Sequence, residues 1–313
     1  MWIYSLVSDS EIREEFLFSL KNRNLEQKFL YHKDGSDLYY DYKYGKDKIM
    51  NIDIFESENI PNFWNKNCFF NENKKILISL WCGNSSIEKN IYNNISTPSK
   101  LEFIGVDISK EMLYLSEKTL KDVSTTKTFV CADFSSVDFK NEINNLTYNG
   151  NKRIFSFFSN TFWNINHTNI IDTLYDILKK GDQIWLDVRL RKSNSIKDDM
   201  EIFNLVEIKW LEKFLSNPFS RNDIPLDNWY ISKEMEKEEW INSLKVKFYF
   251  NFTKKTSLNI RSQITFLPWE SIRCLQVYYY DPDKLINFFE EHNFKFIDKE
   301  IKWMRWQFLF EKQ

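Results

Sequence analysis

Residues 76–89, "ILISLWCGNSSIEK", decide the fold. Ile76, Leu77, Ile78 and Leu80 form a short apolar run of the kind a fully buried strand needs, and "WCGNSS" after it is a polar turn that keeps one glycine, Gly83. Glycine is retained most readily where the backbone needs a positive φ or a close approach, and this chain has only 6 glycines.

Outward from this stretch, short apolar runs alternate with longer mixed segments between about residues 75 and 190, the pattern of a parallel sheet with crossover helices. The strand candidates are "KILISL" (75–80), "LEFIGV" (101–106), "TKTFVC" (126–131), "RIFSFF" (153–158) and "DQIWLDV" (182–188). Ser109 is placed to cap a helix that buries Met112, Leu113 and Leu120, and "TNIIDTLYDILKKGD" (168–182) carries Ile170, Ile171, Leu174 and Ile177 at helical spacing. Beyond residue 195 the texture changes. "LKVKFYFNF" (244–252) and "LNIRSQITF" (258–266) alternate apolar with polar residues, as antiparallel strands with one wet face do. A helix over 281–294 and two strand-like runs, "KFIDKEIK" and "MRWQFLFEK", close the chain.

The 313 residues, 42% hydrophobic and 28% charged, are enough for one large core or two modest ones. A net charge of −2 gives no chain-wide attraction to nucleic acid or anionic membranes. Cys68, Cys82, Cys131 and Cys274 are scattered, without a CxxC pair and away from the three histidines, so neither a metal site nor a disulfide framework is expected. No apolar run approaches the roughly 18–20 residues of a membrane span, and a cytoplasmic protein is expected.

Asp107 follows the second strand, 24 residues after Gly83, close to the spacing at which a ribose-binding acid follows a nucleotide loop. A carboxylate there accepts hydrogen bonds from a ribose diol while the bare turn lets the ligand approach; a tight turn beside a capping Asp is the plainer reading of two residues alone. Asp133 and Phe134 come directly after the third strand, where an acid can bond a nucleobase and a ring can pack on it, and "FFSNTFWNIN" (157–166) sets polar groups after the fourth. Ligands of open α/β sheets bind beyond the carboxyl ends of the strands, and four successive strand ends here turn polar.

On these residues the chain resembles the class I S-adenosylmethionine-dependent methyltransferases, and more narrowly the histidine-specific N-methyltransferases of ergothioneine biosynthesis. "KFLYHKDGSDLYYD" (28–41) is similar to that family's N-terminal signature, "FFSNTFWN" to its Phe-x-Gly-Ser-Thr-x-Gly-Asn motif, and "WESIRCLQVYYYDPDKL" to its late segment. The resemblance implies an α/β fold: a Rossmann-like seven-stranded sheet (60–195, completed by a helix and hairpin in 278–313) and a second α+β substrate domain built from 1–59 and 196–277. It implies S-adenosyl-L-methionine as cofactor, bound by Gly83, Asp107, Asp133 and Phe134, with Tyr31 and Asn164 holding and orienting the amino and carboxylate groups of a small-molecule substrate.

The departures are specific. The family's first loop glycine falls on Trp81, an acidic strand residue on Ser79, and a loop lysine on Ile87 unless a shift brings in Lys89. The Glu and Ser that grip an imidazole in the family fall on Leu275 and Val277. The expected reaction is therefore N-methylation of an amino acid or related amine other than histidine. A peptide or oxygen acceptor is the alternative, as is a degenerate methyltransferase fold that serves as a binding partner. Trp163 either fills a core void or walls the pocket, and His32, His167 and His292 are read as structural, since each stands alone in the sequence and a lone histidine is more often a surface or hydrogen-bonded structural residue.

Overall fold

The computed structural model describes residues 3–44, 59–67, 74–95, 97–148, 150–158, 161–165, 167–191, 195–205, 208–222, 224, 229–260, 262–302 and 305–313. The strands are β1 (Ile3–Ser5), β2 (Lys75–Leu80), β3 (Leu101–Asp107), β4 (Lys127–Cys131), β5 (Lys152–Phe157), β6 (Gln183–Arg189), β7 (Trp229–Glu238), β8 (Ser243–Phe252), β9 (Thr256–Ile260), β10 (Ser262–Phe266), β11 (Ser271–Tyr279), β12 (Phe294–Lys302) and β13 (Arg305–Lys312).

The chain divides into two compact units, one of residues Met1–Val7, Met50–Leu190 and Tyr279–Gln313, the other of Ser8–Ile49 and Arg191–Tyr278. The first holds a sheet in the order β1-β4-β3-β2-β5-β6-β13-β12. β1 to β6 run parallel, and β13 and β12 return antiparallel at the far edge. The strands are apolar because both their faces are covered: β2, β3 and β5 are buried almost throughout. Against one face Ile60, Phe63 and Trp64 of the helix Ile60–Asn67, Ile87 and Ile91 of the helix Ser86–Asn94, and Leu113 of the helix Lys110–Thr119 pack on Leu77, Phe103, Phe129, Ile154 and Trp185. Ser109 caps its helix as its position predicts, accepting a bond from the Met112 N–H at 3.2 Å.

Two expectations are corrected here. The sheet has eight strands, not seven, because Ile3–Ser5 pairs in parallel with β4, Ile3 opposite Phe129. Residues 1–7 therefore leave the second unit, to which the sequence assigned them. Three residues are too few to show a period. The alternating run at 258–266 is also not continuous: it lies across β9 and β10, which pair with each other, Ser262 opposite Ile260.

In the second unit β11, β8 and β7 form a sheet in that order, with β7 and β8 antiparallel. Leu244, Val246, Phe248 and Phe250 of β8 are buried as their alternation predicts. The opposite face is only half wet, since Lys245 and Asn251 are buried as well; Lys245 pairs with Glu238, and Asn251 bonds Ser232 Oγ at 2.9 Å. Phe250 stacks between Phe219 and Trp229, at 4.2 and 4.9 Å. Among the described residues no helix is long and apolar enough to cross a membrane.

Candidate active site

The chain begins the parallel sheet at β2, builds outward through β3 and β4, then returns to the other side of β2 with β5 and β6. Strand order thus reverses between β2 and β5, and crossover helices leave a crevice there, outside the carboxyl ends. The segments that follow β2, β3, β4 and β5 carry Gly83, Asp107, Asp133 with Phe134, and Asn164.

Gly83 has φ +54°, and nothing lies within 4 Å of the place where a Cβ would stand. Its N–H donates to Asp107 Oδ2 at 3.0 Å, so the bond joins the two residues that the spacing of 24 singled out. Asp107 Oδ1 accepts from the Ser109 N–H at 2.9 Å. Burial pushes the Asp107 carboxyl up to about 6, against the N–H groups of Ser109, Gly83 and Ile108, which favour its ionised form.

Asp133 is half-buried at the end of β4 and accepts from the N–H of Ser135 at 3.0 Å and from its hydroxyl at 2.5 Å. Phe134 is buried, edge-on to Phe157 at 5.8 Å and to Trp81 at 5.3 Å. The indole at position 81 therefore packs against the Phe134 ring, and its backbone keeps φ +53°, the left-handed geometry that a glycine would take at ease. Ser85 repeats this with φ +54°. Each such non-glycine residue costs about 1–3 kcal/mol and persists only where its surroundings hold it.

Asn164 ends a 3₁₀ turn, Phe162–Asn164, and is buried, with its N–H bonded to Thr161 O at 3.2 Å. Tyr31 belongs to the second unit, where its ring meets Tyr39 at 5.0 Å and Phe214 at 5.3 Å. Leu275 and Val277, also in that unit, are buried on β11 and share one face by the period-two rule, Tyr279 being next on that face and Gln276 on the opposite one.

Other side chains that the sequence raised, and one neighbour of the loop, are placed as follows. Ile87 is a core residue, 3% exposed. Burial holds the Cys82 thiol well above its ordinary range, with the charges of Asp107 and Glu88 adding to the effect. His167 is buried between Tyr280 and Phe288, and His292 closes the last helix with Nδ1 2.7 Å from Phe288 O. Trp163's side chain and Cys68 lie outside what the structure describes. Among the described residues no group of three His, Cys, Asp or Glu is placed to hold a metal.

Sequence reasoning missed three buried polar residues at the loop: Ser85, Glu88 and Ser116. Ser79 Oγ donates to Glu88 Oε1, and Ser85 and Ser116 share a hydroxyl bond of 2.5 Å. Helical spacing gave a signal for Glu88: Ile91 and Tyr92, three and four residues on, make that face of the helix buried.

A buried carboxylate at one strand end, an open left-handed turn bonded to it, and an acid with a ring at the next strand end make a donor and acceptor set that fits a nucleoside. A family model described as "Histidine-specific methyltransferase, SAM-dependent" matches residues 11–305. No curated protein matches. Among solved structures the chain is similar to an S-adenosylmethionine-dependent methyltransferase from Clostridium acetobutylicum (15% identity, 88% of this chain and 96% of that one, TM-score 0.43). It is also similar to a protein of Pyrococcus horikoshii (11% identity, 90% and 99% covered, TM-score 0.46) and to the plantazolicin methyltransferase BamL, solved with S-adenosylhomocysteine (13% identity, 98% and 100% covered, TM-score 0.38). With the family model spanning nearly its whole length, the chain belongs to the S-adenosylmethionine-dependent, histidine-specific methyltransferase family and is an enzyme that uses that cofactor.

Proposed function

We propose that this methyltransferase acts on the nitrogen of an amino acid or related small amine other than histidine. S-adenosylmethionine, when bound, supplies the methyl group. In this reading Asp107 accepts from the ribose hydroxyls, Asp133 and Phe134 hold the adenine, and the bare turn at Gly83 admits the methionine end. Asn164 and Tyr31 orient the amino and carboxylate groups of the acceptor, and residues 8–49 with 191–278 serve as its substrate domain. The work of these residues is alignment of the nitrogen and exclusion of water; the acceptor reacts as its neutral amine, having given its ammonium proton to solvent. The net charge of −2 favours a small acceptor over nucleic acid, and the scattered thiols suit a cytoplasmic enzyme.

The observation that carries the exclusion of histidine is the aliphatic pair on β11. An imidazole set against Leu275 and Val277 would lose its hydrogen-bond partners at roughly 1–3 kcal/mol per group, which for two groups is on the order of a hundredfold in discrimination. A less polar side chain would gain contact area there. The test is a competition among the common amino acids, with methylated products followed by mass spectrometry, for the wild type and for Leu275→Glu/Val277→Ser. Wild type should disfavour histidine and the double variant should move toward it. A wild type that prefers histidine would remove Leu275 and Val277 from the pocket.

A further inference from the structure

The loop between β2 and the helix Ser86–Asn94 takes left-handed backbone at three alternate residues, Trp81, Gly83 and Ser85, with φ of 53°, 54° and 54°. Only the middle one is a glycine. A tryptophan and a serine keep such backbone only where the surroundings hold it. Two buried contacts grip the loop from below, one at each end. Before the loop, Ser79 on β2 donates its hydroxyl to Glu88 Oε1, and Glu88, in the first turn of the following helix, is 1% exposed. At its far end Ser85 Oγ meets Ser116 Oγ, a fully buried hydroxyl from the helix Lys110–Thr119. Cys82 lies in the same layer, and it fits because residue 105 on β3 is a glycine: a Cβ there would stand 3.1 Å from Cys82 Sγ.

We propose that Ser116 and Glu88 are positioning residues for the cofactor, clamps that hold a loop poor in glycine in the backbone geometry that glycines would otherwise allow. They act through the loop on the two groups that meet the ligand. Gly83 presents its open side only while its neighbours stay left-handed, and its N–H fixes the rotamer of Asp107. The proposal rests on the reading of Gly83 and Asp107 as cofactor contacts.

The test pairs substitutions that remove a clamp with substitutions that make it needless. Ser85→Ala keeps the unfavourable backbone and loses the clamp, whereas Ser85→Gly loses both the clamp and the need for it. In calorimetric titrations with S-adenosylhomocysteine, Ser85→Ala and Ser116→Ala should bind about tenfold more weakly than Ser85→Gly. Glu88→Ala should likewise be about tenfold weaker than Glu88→Gln, whose amide oxygen still accepts from Ser79. Hydrogen exchange in the ligand-free protein should show faster exchange at residues 82–85 in Ser85→Ala and Ser116→Ala than in wild type. Equal Kd values for Ser85→Ala and Ser85→Gly, with the wild type binding normally, would overturn this proposal alone. A wild type that does not bind would overturn the assignment of the cofactor contacts and the proposal with it. Lower melting temperatures without any change in Kd would reduce the clamps to fold stability and also overturn it.

Discussion

Cofactor affinity should fall in acid through one named group. Asp107 titrates near 6 in the folded protein against 3.8 for an unperturbed carboxyl, because burial disfavours its charge. Between those values the folded state holds the extra proton, so this group contributes stability at low pH that is lost as pH rises through 6. Ligand binding runs the other way. Ribose hydroxyls donate to the ionised carboxylate, so a proton on Asp107 competes with the ligand. One pH unit below the folded pKa about ten carboxyls in eleven are protonated, and the apparent Kd at pH 5 should be about tenfold above that at pH 7.5, or about 1.4 kcal/mol. The assay is calorimetric titration of wild type and Asp107→Asn with S-adenosylhomocysteine across pH 5 to 7.5. Any titration of the ligand itself affects both proteins alike and cancels in their ratio. The wild-type to variant ratio of Kd should climb toward acid pH; a ratio flat across that range would refute the role of Asp107.

Saturation with S-adenosylhomocysteine at 100 times its Kd should stabilise the wild type by about 2.7 kcal/mol, and Asp107→Ala should lose most of that gain in a thermal melt. Asn164→Ala should cost on the order of a hundredfold in kcat/KM through misorientation of the acceptor, with cofactor Kd little changed; unchanged kcat/KM would remove Asn164 from the site. Ile87→Lys should destabilise the fold by roughly 3–5 kcal/mol, because it sets an unpaired ammonium in the core cluster. Urea unfolding reads this out, and a stable variant with tighter cofactor binding would show that position 87 belongs to the loop's chemistry instead.

The sheet was legible where burial on both faces writes a continuous apolar run, as in "KILISL" and "LEFIGV", and where a cap such as Ser109 marks the next element. It was not legible at Ile3–Ser5, where the strand exists only because β4 offers an edge, nor between β9 and β10, where no glycine or proline marks the reversal. In the site, Gly83 and Asp107 could be paired by spacing because a βαβ unit fixes the distance between consecutive strand ends. Ser116 could not be tied to Ser85, 31 residues away, since a serine inside an amphipathic helix reads as a solvated residue until its neighbours are known. Glu88 was missed although Ile91 and Tyr92 mark its side of the helix as buried; its bond to Ser79, nine residues back on the strand, shows only once the two elements are packed.

The most direct measurement is a crystal structure of the enzyme with S-adenosylhomocysteine. The nucleoside should lie across the carboxyl ends of β2, β3 and β4, with the ribose hydroxyls within hydrogen-bond distance of Asp107, the adenine against Phe134, and the homocysteine end beside Gly83. A ligand bound elsewhere in the chain, or one that leaves the Asp107 carboxylate untouched, would contradict the account.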